Sequence, residues 1–113
     1  MHFDHNSKRW RKKAKVIMHR DKHCCQYAAT YGRCIPATCV HHIFPVDEYP
    51  QYAWCSWNLI ALSNEAHNMM HDRKTGRLTV LGKSLQRKVE PQRQKYDRAM
   101  RRRRTYTPPG SSS

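Results

Sequence analysis

Four histidines in this 113-residue chain stand at spacings that could do chemistry. His67 and His71 are four apart. On a helix that spacing stacks two imidazoles on one face at adjacent turns, a favourable bite for a divalent metal. An H-x-x-x-H pair alone is a weak signal. His41 and His42 are consecutive in a run that reads as a strand, so they must point to opposite sides. If one of them reaches the metal, the other is left free. An unligated imidazole beside a metal suits hydrolysis: the metal stabilises charge on phosphate and leaving oxygen, and the imidazole, with an ordinary pKa of about 6.5, takes a proton from water at neutral pH.

These residues need elements to hold them. Ser7 reads as the N-cap of a helix running through Trp10, Ala14, Ile17 and Met18, which share one face, and Asp21 with Cys24-Cys25 ends it. Tyr31-Gly32 reads as a turn. Cys39 to Phe44 is a β-branched and aromatic run closed by Pro45, a strand by composition. Residues 46–57 form a polar-aromatic loop, and Leu59-Ile60-Ala61-Leu62 is the natural second strand. Ser63 or Asn64 then caps a helix from Glu65 to about Asp72, stopped by Thr75-Gly76. The C-terminal arm from about Lys83 reads as helical around Pro91, and Thr105 to Ser113 as disordered.

The charge is laid out as two cationic arms around a near-neutral centre. The net charge is +14 and the mean hydropathy −0.98. Residues 8–22 carry eight basic side chains against Asp21, and residues 83–104 carry ten against Glu90 and Asp97. So few compensating acids point to a polyanionic partner and to steep salt dependence of binding. No run approaches the roughly 18 apolar residues that cross a bilayer, and no apolar secretory core follows the N-terminus. A cytoplasmic protein without membrane partners is expected.

In order, Val40-His41-His42-Ile43-Phe44-Pro45, Asn58-Leu59-Ile60-Ala61-Leu62 and His67-Asn68-Met69-Met70-His71 resemble the HNH endonuclease family. The nearest flavour is that of small phage proteins encoded beside DNA-packaging genes, and the match spans roughly residues 7–77. The resemblance implies an α+β fold, a ββα-metal core with an N-terminal helix and a basic, partly helical C-terminal arm. Residues 1–82 would be the nuclease domain (core about 38–74), and 83–113 the extension. It also implies roles: His41, His67 and His71 as metal ligands, His42 as the base that activates water, and Asn58 as the residue that ties down the loop and orients His42. Family members hydrolyse phosphodiester bonds, leaving 5′-phosphate and 3′-hydroxyl ends. Three imidazoles suit zinc, nickel, cobalt or manganese, while the resemblance also admits magnesium.

One departure stands out. Many phage members hold a second, structural zinc with two CxxC pairs. Here Cys25 occupies the first position, but Ala28, Ser63 and Ala66 stand at the other three, which argues against that zinc. The other cysteines (Cys24, Cys34, Cys39, Cys55) read as buried or idle thiols in a reducing compartment. Arg33, Arg73, Lys74 and Arg101, Arg102, Arg103 and Arg104 are candidate DNA contacts. His2, His5, His19 and His23 read as surface or helix-end residues, and Trp54 and Trp57 as loop packing.

The expected function is a metal-dependent HNH endonuclease acting on DNA, assisting a phage terminase in genome packaging, in the bacterial host cytoplasm if phage-encoded. A homing or defence nuclease would use the same site. The rivals are a non-catalytic, zinc-stabilised basic DNA-binding module and an RNA-directed nuclease.

Overall fold

The computed structural model describes residues 3–105. Of the tail expected to be disordered, residues 106–113 lie outside the described residues, as does His2, while Thr105 ends the last helix.

Ser7 opens α1 (Lys8–Arg20) as its sequence suggests: the hydroxyl accepts the Trp10 N–H at 3.1 Å. The apolar stripe of α1 is narrow. Trp10 and Ile17 are buried, and Ala14 packs beside them against Leu59 and Val40. Each large side chain gains roughly 2–3 kcal/mol from leaving water.

Asp21 caps the end of α1 and begins the next task. Its carboxylate pairs with Arg20 at 2.9 Å and accepts the Ala61 N–H at 3.0 Å. Arg20 donates to the carbonyls of Leu59 and Ser56 at 2.6 and 2.9 Å. The two side chains thereby satisfy the outer edge of β2 (Leu59–Leu62), which would otherwise present bare backbone groups.

The inner edge of β2 pairs antiparallel with β1 (Cys39–His42), His41 opposite Ile60 and His42 opposite Leu59. Opposed residues share a face, so His42, Val40, Leu59 and Ala61 turn toward α1. His41, Cys39, Ile60 and Leu62 turn the other way, toward the main core of Cys25, Ala28, Ile43, Phe44, Tyr52, Leu62, Ala66, Met70 and Leu85. Part of that second core comes from α2 (Gln26–Thr30), a five-residue helix without a side-chain cap that the sequence did not announce. Gly32, at φ +73°, makes the expected turn after it.

The helix that follows the hairpin is shorter than its sequence suggests. The chain was expected to stay helical to about Asp72, but α3 spans only Asn64–Asn68, capped by the Ser63 hydroxyl on the Ala66 N–H at 3.2 Å. Tertiary bonds end it. The Met69 carbonyl takes the Thr79 hydroxyl at 2.7 Å, and the Met70 carbonyl takes the Thr79 N–H at 2.9 Å. The Lys74 N–H, which continued helix would have sent to Met70, goes instead to the Asp72 carboxylate at 2.9 Å. A turn through Gly76 (φ +73°) then returns the chain, so that His71 sits in an antiparallel bridge with Leu78 rather than on a helix.

Two helices follow, α4 (Val80–Lys88) and α5 (Glu90–Thr105), with Pro91 in the first turn of α5, where its missing N–H costs nothing. Position 83, where the basic extension was expected to begin, falls inside α4, and Leu85 beyond it belongs to the main core. Tyr52 donates its hydroxyl to Asp97 at 2.8 Å, and Tyr96 donates to the Gln51 carbonyl at 3.2 Å, so α5 docks on the loop between the strands.

Candidate metal and nuclease site

The alternation of β1 separates its two histidines. His41 is 2% exposed and meets His67 and His71, with ring centroids 5.2 and 5.5 Å away. One ligand-capable nitrogen from each ring lies within 4.8 Å of the others. Among the described residues this is the one group of three or more His, Cys, Asp or Glu side chains so arranged. His71 therefore joins the cluster, though from an extended bridge beyond α3 and not from the helical spacing.

The nitrogens are prepared differently. His41 Nε2 is buried without a hydrogen-bond partner, the sole such side-chain atom among the described residues. A buried polar atom left unpaired is costly and calls for an explanation. A cation supplies one: the donor set of three imidazoles fits a divalent transition ion. The His71 Nδ1–H donates to the Gly76 carbonyl at 3.3 Å, which leaves its Nε2 as the lone-pair nitrogen. Burial, and then the neighbouring His67, His71 and His42, push the His41 pKa down to about 3. Burial followed by His71 lowers His67 as well. Both rings are thus neutral at pH 7, the form that binds a metal.

His42, on the other side of the strand, lies in an aromatic box. It stacks on Trp10 with centroids 4.9 Å apart and planes 21° apart, and Phe3 meets it edge-on at 5.1 Å. Its Nε2 lies 3.1 Å from the Ala53 carbonyl. A carbonyl only accepts, so Nε2 carries the proton and Nδ1 the lone pair. Burial lowers its pKa against the opposing pull of the Ala53 carbonyl. The result is a neutral, oriented imidazole. His42 nevertheless lines the same cleft, about 540 Å³, as His41, His67 and His71.

Asn58 is fully buried and spans the loop between the strands. Its Oδ1 accepts the Phe44 N–H at 2.7 Å, and its Nδ2 donates to the carbonyls of Phe44 and Tyr52 at 3.2 and 3.1 Å. The loop is pinned where it leaves β1 and again at the residue before Ala53. Asn58 touches His42 only through this backbone.

The basic candidates are scattered. Arg73 and Lys74 follow His71 on an exposed turn at the edge of the cluster. Arg33 lines a separate hollow near the end of α1, with Arg20 and Lys22. Arg101, Arg102, Arg103 and Arg104 stand exposed on the last turns of α5. None of them lines the cleft. Trp57 packs on Tyr52 at 5.0 Å, and Trp54 lies under the Arg9 guanidinium at 3.8 Å.

Cys25, Ala28, Ser63 and Ala66, the four positions compared with a structural zinc site, do line one small hollow between α2 and α3. Two alanine methyls pack into the core there, and the Ser63 hydroxyl is used as a helix cap. Burial raises the Cys25 thiol, but hydrogen bonds from Ser63, Ala28 and Tyr27 outweigh it and the net shift is downward. Cys24 and Cys34 are neighbours, and their shared hydrogen bond raises the Cys24 pKa.

Sequence reasoning missed two participants. The Ala53 carbonyl carries no residue-type signal, since every residue has one. His5 stands in the cleft 5.7 Å from His42, although it read as a helix-end histidine. The available clue was Trp10: a chain entering α1 two residues before its cap must cross that buried ring.

No family model and no curated protein matches the chain. Among solved structures, an HNH endonuclease with manganese ion, from the deep-sea thermophilic bacteriophage GVE2, matches with a TM-score of 0.55 and 23% identity, over 57% of this chain and 70% of that one. The fold is that of an HNH endonuclease. The α+β architecture, a two-stranded hairpin followed by a short helix, is the one the resemblance implied. Among the described residues, no helix is long and apolar enough to cross a membrane.

Proposed function

We propose that the chain is a metal-dependent endonuclease that hydrolyses phosphodiester bonds in DNA. The observation that carries this reading is the division between adjacent histidines. His41 offers a buried, unpaired Nε2 to a three-imidazole cluster, while His42 has its Nε2 tied to Ala53 and its Nδ1 free, in one cleft. His42 Nδ1 takes the proton of a water whose oxygen bonds to phosphorus in line with the breaking P–O3′ bond. An ion held by His41, His67 and His71 would supply charge to the phosphate and to the leaving 3′ oxygen. Asn58 is a positioning residue, acting through Tyr52 and Ala53. Zinc or nickel suits the nitrogen donors, and likeness to a nuclease solved with manganese ion makes manganese a further ion to test.

Arg73 and Lys74 at the edge, with Arg33 and Arg101 to Arg104 further out, are assigned to phosphates along the duplex. That assignment predicts affinity falling steeply with salt. Likeness to a phage protein supports a role in phage genome processing, with terminase as the partner to test.

Plasmid nicking tests the reading. With manganese, nickel, magnesium or zinc added in turn, wild-type protein should nick. His42→Ala should lose nicking by about 1,000-fold while still binding DNA. A wild-type protein that binds DNA and nicks with none of these ions overturns the nuclease in favour of a binding module.

A further inference from the structure

The chain carries a net charge of +14, yet no lysine or arginine lines the cleft where a scissile phosphate must lie. A phosphodiester seated there needs hydrogen-bond donors for its non-bridging oxygens. The side chains available are few. Three imidazoles belong to the cluster, His42 is bound to Ala53, and the Cys39 thiol donates to the Leu62 carbonyl at 3.4 Å. Asp47 is an acceptor. The Trp10 indole N–H, the exposed Thr38 hydroxyl and His5 remain, and of these only His5 can carry positive charge.

We propose that His5 is the phosphate contact of this cleft, donating a ring N–H to a non-bridging oxygen of the bound phosphodiester. The inference rests on the nuclease reading above and adds a residue to it.

Three observations support it. Neither ring nitrogen of His5 makes a hydrogen bond within the described residues, so the donor is free for a ligand. The ring is nonetheless held in place: Phe3 and Trp10 contact it edge-on at 4.9 and 5.4 Å. The backbone behind it is set by a turn in which Asp4 accepts the Asn6 N–H at 2.8 Å and the Ser7 N–H at 3.3 Å. Finally, the distance suits the task. The His5 and His42 rings are 5.7 Å apart, with planes at 74°. Both rings line one cleft, so a phosphodiester whose water faces His42 comes within hydrogen-bonding reach of His5 beside it.

The test uses the full chain and two readouts. In nicking with manganese, His5→Ala should lower kcat by about 100-fold, the effect of removing one such donor, with KM and manganese affinity within about threefold of wild type. His5→Gln, which restores an N–H donor, should recover most of the loss. Equal loss in both variants, or none in His5→Ala, overturns the proposal. A fall in melting temperature matched by the loss of rate in both variants also overturns it, in favour of packing. The second readout needs no turnover: the ring resonances of His5 are followed by NMR as a short DNA duplex is titrated into metal-free protein. Saturable shifts of the His5 ring support the contact even if wild-type protein never nicks, and unmoved resonances overturn it. Silent nicking, by contrast, overturns only the nuclease reading.

Discussion

The two faces of β1 carry the same residue type at adjacent positions and treat it in opposite ways. His41 enters a crowd of imidazoles and keeps an unpaired nitrogen; His42 enters an aromatic box with its nitrogen paired to a carbonyl. Burial lowers the pKa of both, so protonation state alone does not tell them apart. The difference lies in hydrogen bonding. A ring whose one N–H is fixed by a carbonyl presents a single lone pair in a set direction, as a base requires. A buried ring with an unpaired nitrogen, grouped with two like neighbours, suits a cation.

Substitutions on the two faces should therefore fail differently, and nicking gives the largest effect. His42→Ala should lose about 1,000-fold in rate with metal content unchanged, whereas His41→Ala should lose metal and rate together. Measuring bound manganese beside the nicking rate separates the two. If His42→Ala also sheds the ion, the faces are not distinct.

The next effect is on stability. Asn58→Ala strips three buried hydrogen bonds from the loop that holds the Ala53 carbonyl. Chemical denaturation should show a loss of about 3 kcal/mol. At temperatures where the variant stays folded, its nicking rate should still be reduced, because the Ala53 carbonyl no longer fixes the His42 ring. A variant as stable as wild type would contradict the loop assignment.

A smaller effect comes from pH. The folded-state pKa of His41 lies near 3, below its ordinary value of 6.5. The unfolded chain thus binds more protons between those values, and the stability His41 contributes is present above about 6.5 and lost as pH falls toward 3. Metal-free protein should melt at progressively lower temperature over that window, and His41→Gln should flatten the slope. A melting temperature independent of pH would remove His41 from the buried face. Smallest of all, Trp10→Phe should keep the hydrophobic contact with α1 but shrink the ring stacked on His42. A loss of about 1 kcal/mol and a several-fold fall in rate are expected, and denaturation with nicking in parallel would reveal either.

Much of this was legible in the sequence because it depends on simple periods. A strand of period two must send His41 and His42 to opposite faces, and Ser7, Asp21 and Ser63 carry the chemistry of caps. His71 is more instructive. Its place in the cluster was expected from a helix that in fact ends at Asn68, where Thr79 and Asp72 take the hydrogen bonds that helix would have used. Long-range partners overrode local spacing, yet the chain's return to Leu78 still brought the ring beside His41. What stayed hidden belongs to the backbone or to short elements: the Ala53 carbonyl, the uncapped five residues of α2, and the turn that sets His5 over the cleft.

Calorimetric titration of manganese into wild-type protein and into His41→Ala, His67→Ala, His71→Ala and His42→Ala, all metal-free at the start, bears most directly on the division of labour. The first three variants should lose the binding isotherm, and His42→Ala should retain it with wild-type stoichiometry. Loss of binding in His42→Ala, or full binding in any of the other three, would contradict it.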